Sequence, residues 1–216
     1  MSISDNARTI ISTIPSSVTL VAATKNRTLE EIKQAIDAGI TIIGENYVQE
    51  AEEKYGELKG RVKFHLIGHL QKNKVKRALN IFDMIQTIDS PELAEEISRR
   101  AEKPVDVLIE INIGKEPDKT GVMPEESVNL IKEISKLNNI KIKGLMAMAP
   151  YFKNPEEIKP YFREMKKLFY KIKELNIENV EMKILSMGMS DSYKIAIEEG
   201  ANMVRLGTVI FGKKAL

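Results

Sequence analysis

The residue types with the most chemical content lie near the C-terminus. Leu185-Ser186-Met187-Gly188-Met189-Ser190-Asp191 is followed by a short helical pattern and then by Met203-Val204-Arg205-Leu206-Gly207-Thr208-Val209-Ile210-Phe211-Gly212. Each half is an apolar strand running into a small-residue turn that opens a helix. In that arrangement free backbone N–H groups and the helix dipole hold a phosphate. Two such turns in succession point to one shared anion, so a ligand carrying a phosphate is the first expectation. Arg205 stands two residues before Gly207 and so faces the side of that turn. A buried arginine needs an acceptor, either a structural carboxylate or a heteroaromatic nitrogen of a ligand. Ser186 and Ser190 could supply hydroxyls and Gly188 allows close backbone approach, although Ser190 could equally be the N-cap of an ordinary helix.

A second group of candidates sits at other strand ends. Lys25 closes Val18-Thr19-Leu20-Val21-Ala22-Ala23-Thr24-Lys25 and shares the face of Thr19, Val21 and Ala23, a small set that fits inside a barrel. A lysine rooted there would sit in a low-dielectric cup that favours its free amine and Schiff-base chemistry. The alternative is a loop lysine reaching into water. Asn46 could donate to a ligand or cap the next helix. His65 and His69 lack a carboxylate at metal-ligand spacing, so a stacked or hydrogen-bonded role is expected and a metal is not. Lys119 is expected to be an exposed loop lysine.

The elements that must position these residues alternate from end to end. After a helix near 5–14, strands are expected at 18–23, 41–44, 63–67, 84–88, 105–113, 142–147, 181–185 and 203–206. The helices between them carry start and stop signals: Thr28 with Glu31, Gly39 beyond the end, Ser90 before Pro91, Pro124 before Glu125, and Asn154 before Pro155. Residues 150–160 read as the most loop-like stretch. Eight βα units without a composition break predict one domain over 1–216, a (β/α)8 TIM barrel with an extra N-terminal helix. An open doubly wound sheet is the alternative, but the Gly-rich dinucleotide fingerprint is absent after the first strand.

Composition narrows the classes further. At 216 residues the chain is short for a barrel that typically needs about 250. A net charge of +2 with interspersed signs gives no basic stripe for nucleic acid. With no cysteine, disulfides, thiolate catalysis and cysteine-ligated metals are excluded. No apolar run approaches the roughly 20 residues of a membrane span and no leader pattern opens the chain, so a cytoplasmic protein is expected.

These residues resemble the pyridoxal 5′-phosphate homeostasis proteins, which look like the N-terminal barrel of alanine racemase standing alone. The resemblance rests on Leu20 to Lys25, Gly44 to Glu50, His65 to Lys74, Ser186 to Ser190 and Val204 to Gly212, and spans nearly the whole chain. Three departures stand out: Ala23-Thr24 replaces a usual Val-Ser, Asn26-Arg27-Thr28 replaces a common Thr-Lys-Pro, and Asp191-Ser192 moves an acidic residue one place earlier. The resemblance implies an internal aldimine between Lys25 and pyridoxal phosphate. It implies a phosphate held by Ser190 and by backbone at Gly207 and Thr208, with Arg205 facing the pyridine nitrogen and Asn46 and Ser186 completing the pocket.

The function implied is storage, buffering or delivery of the cofactor, with apo enzymes that use it as partners. The rival is an amino-acid racemase on the same barrel. It is disfavoured because only four residues follow Gly212, leaving no second domain to supply an opposing tyrosine. A Schiff-base aldolase acting on a phosphorylated sugar also fits the lysine and the phosphate turns. A monomer without useful turnover is expected.

Overall fold

Side-chain caps fix where the first two helices start. The structure, a computed structural model, describes residues 2–150, 152 and 154–213. In α1 (Ile3–Thr13) the Ser2 hydroxyl accepts the Asp5 N–H while the Asp5 carboxylate accepts the Ser2 N–H, satisfying two donors of the first turn. After β1 (Thr19–Ala23), α2 (Leu29–Asp37) opens on the same device, with the expected Thr28 and Glu31 as its two halves.

Strands and helices then alternate as β2 (Ile42–Glu45), α3 (Val48–Leu58), β3 (Lys63–Leu66), α4 (Val75–Leu79), β4 (Met84–Ile88), α5 (Pro91–Arg100), β5 (Val105–Ile111) and α6 (Ser127–Ile134). The chain continues through β6 (Ile140–Ala147), α7 (Lys159–Glu174), β7 (Val180–Ser186), α8 (Tyr193–Glu198), β8 (Met203–Leu206) and α9 (Thr208–Phe211). The eight strands are parallel and close in sequence order into a barrel. Closure is made by Thr19–Ala22 pairing with Met203–Leu206, which overturns the open-sheet alternative.

Some boundaries differ from expectation for local reasons. β5 stops at Ile111 because Asn112 bonds the loop beyond it, accepting the Glu116 N–H at 3.0 Å and donating to the Glu116 carbonyl at 2.8 Å. α6 starts at Ser127 rather than just after Pro124, and the Ser127 hydroxyl donates back to the Pro124 carbonyl at 2.7 Å. The loop expected at 150–160 is partly helical. Pro155–Ile158 form a 3-10 turn that leads directly into α7, with the Asn154 side chain accepting the Glu156 N–H; residues 151 and 153 lie outside the described ones.

The main core lies between sheet and helices, where α2 buries Ile32 and Ala35, α5 buries Leu93 and Ile97, and α7 buries Phe162, Met165 and Phe169. Truncating one such aliphatic side chain to alanine costs about 2–5 kcal/mol. The barrel interior is filled separately by two small apolar clusters, Val21, Ile67 and Met203, and Met84, Leu108 and Met146. Strand alternation puts His65, Gln86, Glu110, Ser186 and Arg205 on the same inward faces, and all five are buried. Among the described residues no helix is long and apolar enough to cross a membrane.

Candidate functional site

In a parallel barrel every strand ends on one face, so the turns after β1, β2, β7 and β8 meet at a common mouth. Strand pairing sets their register: Val21 lies beside Arg205 and Ala23 beside Gly44. A side chain added at Gly207 would meet the Ala23 carbonyl oxygen at 3.5 Å, so the phosphate turn predicted from sequence lies against the end of the lysine-bearing strand.

Lys25 reaches that mouth, but not as expected. β1 ends at Ala23 and Lys25 falls in the turn, exposed, with its Nζ 5.5 Å from the centroid of the exposed Tyr47 ring. The expected low-dielectric cup is therefore corrected to an open rim position. Alternation does aim the lysine inward, but the chain has already left the strand: Asn26 takes a left-handed φ of 56°, which asparagine tolerates better than most residues.

Arg205 is where the sequence places it, inside the barrel at 4% exposure. Its Nη1 donates to Ser186 Oγ at 2.7 Å and its Nη2 to the Ala147 carbonyl at 2.8 Å. The Ser186 hydroxyl in turn donates to Gln86 Oε1 at 2.8 Å, and Gln86 Nε2 lies 3.0 Å from His65 Nδ1. Because Ser186 accepts from arginine it must pass its own proton on, which orients the Gln86 amide and leaves His65 Nδ1 as an acceptor. The result is a directional chain of donors from β8 through β7 and β4 to β3. Burial pushes the Arg205 guanidinium down to about 10, with Glu110 acting against the shift, so it remains cationic near neutral pH. Burial pushes the His65 imidazole down to about 4, so it is neutral there. His65 is thus hydrogen-bonded, as expected, while His69 is exposed with Nδ1 3.9 Å from Asp89.

The two turns converge, though by a different bond from the simplest expectation. Ser190 does not cap α8, whose N-cap is Ser192; its hydroxyl accepts the N–H groups of Gly207 and Val209, both at 3.3 Å. Two backbone donors of the second turn therefore aim at one point beside the first. Thr208 opens α9 and is exposed, and its N–H makes no hydrogen bond among the described residues. Packing by itself demands glycine at 188: its φ is 93° and a Cβ would lie 2.5 Å from that of Ala196 in α8. Asn46 does not cap α3, whose N-cap is Tyr47, and its side chain makes no hydrogen bond among the described residues. Its backbone is seated against Gly68, where a Cβ would come within 2.4 Å of the Asn46 carbonyl oxygen. Lys119 is exposed, ion-paired to Glu116 at 2.6 Å, and borders an apolar cavity with Ala147, Ala149, Gly188 and Arg205.

Sequence analysis missed three interior polar residues. Gln86 links Ser186 to His65. Glu110 accepts the Thr120 hydroxyl at 2.9 Å while its Oε2 is buried without a hydrogen-bond partner among the described residues. Burial raises its carboxyl above the usual range, reinforced by Asp89 and opposed by the Thr120 bond and Arg205. Lys54 pairs with Glu45 at 2.6 Å beneath the Lys25 turn. The signal for the first two was present: each is a polar residue set among apolar ones within a strand, in Met-Ile-Gln-Thr-Ile and Val-Leu-Ile-Glu-Ile.

The fold and this mouth define a parallel (β/α)8 barrel that gathers a rim lysine, a buried arginine and two small-residue turns at the C-terminal ends of its strands. Residues 1–215 match the family described as alanine racemase, N-terminal domain. A pyridoxal phosphate homeostasis protein of Aquifex aeolicus is 44% identical over 200 residues, 90% of this chain and 86% of the relative. That of Haemophilus influenzae is 40% identical over 203 residues, covering 91% and 85%. The chain belongs to the alanine racemase N-terminal domain family and, within it, to the pyridoxal phosphate homeostasis proteins.

Solved structures agree. PipY of Synechococcus elongatus with pyridoxal phosphate bound superposes with a TM-score of 0.90 at 32% identity, covering 98% of this chain and all of that one. An alanine racemase of Clostridium difficile shares the barrel at a TM-score of 0.79 and 18% identity, with this chain covering 56% of its length. That likeness concerns the fold alone.

Proposed function

We propose that this protein binds pyridoxal 5′-phosphate at the C-terminal mouth of its barrel and serves the homeostasis of that cofactor by storing, buffering or handing it over. The observation that carries the reading is the seating of the Gly207 turn against Ala23, which sets a phosphate-type turn two residues from Lys25.

The residues present fit the group. Glycine at 207 is demanded neither by packing, since a Cβ there makes only ordinary contacts, nor by a positive φ, so its missing side chain leaves room for a ligand. The donors of Gly207 and Val209 that Ser190 now accepts are aimed where an anion oxygen would profit more. Arg205 commits two N–H groups to Ser186 and Ala147, and guanidinium carries five, so donors remain for a ring nitrogen. The Asn46 carboxamide makes no hydrogen bond among the described residues and is available to the same mouth.

When bound, pyridoxal phosphate supplies an aldehyde whose carbon takes a primary amine with loss of water, and a ring that can draw electrons from the attached group. Lys25 is the amine at that mouth. Arg205 keeps its own proton at neutral pH and so presents a donor to the ring nitrogen rather than an acceptor for a pyridinium proton. An unprotonated ring is a weak electron sink, so the site holds the cofactor better than it uses it. In this reading residues 1–216 form one domain acting as a cytoplasmic monomer, apo enzymes receive the cofactor, and racemase turnover is negligible.

The test is the absorption spectrum of the loaded protein before and after borohydride reduction, followed by peptide mapping. A reduced adduct on Lys25 is expected, and one mapping mainly to Lys119 would overturn the assignment. Chiral chromatography of alanine incubated with the loaded protein checks the second half: turnover of about 1 per second or more, usual for metabolic enzymes, would make it a racemase instead.

A further inference from the structure

Lys25 stands on an exposed turn, where a flexible side chain would ordinarily roam, yet the backbone of the residues on either side of it is held. The Thr24 N–H donates to the Gly44 carbonyl at 2.9 Å. The Thr24 carbonyl accepts Lys54 Nζ at 3.2 Å and the Arg27 N–H at 3.0 Å. The Thr24 hydroxyl donates to Glu45 Oε1 at 2.6 Å, and the Asn26 N–H donates to Glu50 Oε2 at 2.9 Å. Glu45 is fully buried and Lys54 nearly so, and Lys54 Nζ also lies 3.6 Å from Glu50.

A buried ion pair is a poor stability device, because desolvation offsets much of its attraction and well-packed neutral replacements are often as stable. Its place under one particular turn therefore calls for another use. Lys54 donates to Glu45 and to the Thr24 carbonyl and keeps its charge beside Glu50, which commits its own amine to structure. We propose that Glu45, Lys54 and Glu50 are positioning residues for Lys25: they lock the residues on either side of it, so that its amine is presented to an aldehyde ligand already seated in the mouth. The proposal rests on the function proposed above. It separates two steps: seating the ligand, which the β7 and β8 turns carry out, and forming the bond between Nζ and the aldehyde carbon while the aldehyde oxygen leaves as water.

The test compares wild type with Glu45→Gln/Lys54→Met, which replaces the pair by neutral groups of similar volume, with Glu50→Ala, which leaves the pair intact, and with Lys54→Arg. Stopped-flow absorbance gives the rate of bond formation with pyridoxal phosphate, and calorimetry gives the affinity for pyridoxine 5′-phosphate, which lacks the aldehyde. The double variant is expected to bind the aldehyde-free analogue as wild type does and to form the bond about 10-fold more slowly. Glu50→Ala should show a smaller loss together with faster hydrogen exchange at the Asn26 amide. Lys54→Arg should recover most of the rate. A merely structural role would lower both quantities together, and that result overturns the proposal, as does a wild-type rate in a folded double variant. If the double variant does not fold, Glu50→Ala decides: a wild-type rate and unchanged Asn26 exchange overturn it. A wild-type adduct mapping away from Lys25 overturns the functional assignment as well, which distinguishes that failure from a correctly mapped bond whose rate ignores the pair.

Discussion

Arg205 Nη1 donates to Ser186 Oγ across 2.7 Å inside the barrel, and both residues are almost completely shielded from water. The same hydroxyl donates to Gln86. Ser186→Ala would leave one arginine N–H and one amide oxygen buried without partners, a loss of about 1–3 kcal/mol. Urea denaturation should show it. A double-mutant cycle with Gln86→Leu should give a combined loss smaller than the sum, since the second change removes the acceptor that the first had orphaned.

His65 makes acid stability a signature of this interior. Its imidazole titrates near 4 in the fold against 6.5 when exposed. The unfolded chain therefore takes up the proton first, and the contribution, full above 6.5, is lost as pH falls toward 4, by up to about 3 kcal/mol. His65→Gln keeps an acceptor for Gln86 but cannot titrate. Its stability should vary less than that of wild type over this window in paired denaturation curves. Equal slopes would contradict the buried neutral imidazole.

Glu110 acts with the opposite sign. Its folded carboxyl titrates above the ordinary 4.5, so the unfolded chain ionises first as pH rises. Its contribution is complete below that value and is lost as pH climbs through the raised one. Glu110→Gln retains an oxygen for the Thr120 hydroxyl and removes the buried charge. It should be more stable than wild type at neutral pH by about 1 kcal/mol, with the gap closing in acid.

Gly207→Val tests the phosphate turn. The new Cβ meets only Ala23 at ordinary contact distance, so thermal denaturation should change little. The branched carbons would occupy the ligand's space, and equilibrium titration with pyridoxal phosphate should show at least a tenfold weaker affinity, about 1.4 kcal/mol. Unchanged affinity would place the phosphate elsewhere.

The sequence alone determined the architecture, because its signals are local. Short apolar runs, the Thr28 and Glu31 cap and the small-residue turns after 185 and 206 depend on neighbours a few residues away, and eight strands lie within two residues of where those signals put them. It also determined that Arg205 faces inward with the last turn, since strand alternation needs no partner. Only the tertiary structure decided that Lys25 sits on an open rim rather than in a cup, because the departure from β1 depends on what holds the turn from β2 and α3. It alone decided that Ser190 bonds the turn after β8 instead of its own helix, and that Gln86, 100 residues from Ser186 in the chain, completes the interior relay. Such contacts arise when the barrel closes β1 onto β8, and no spacing along the chain encodes which side chains then meet across its axis.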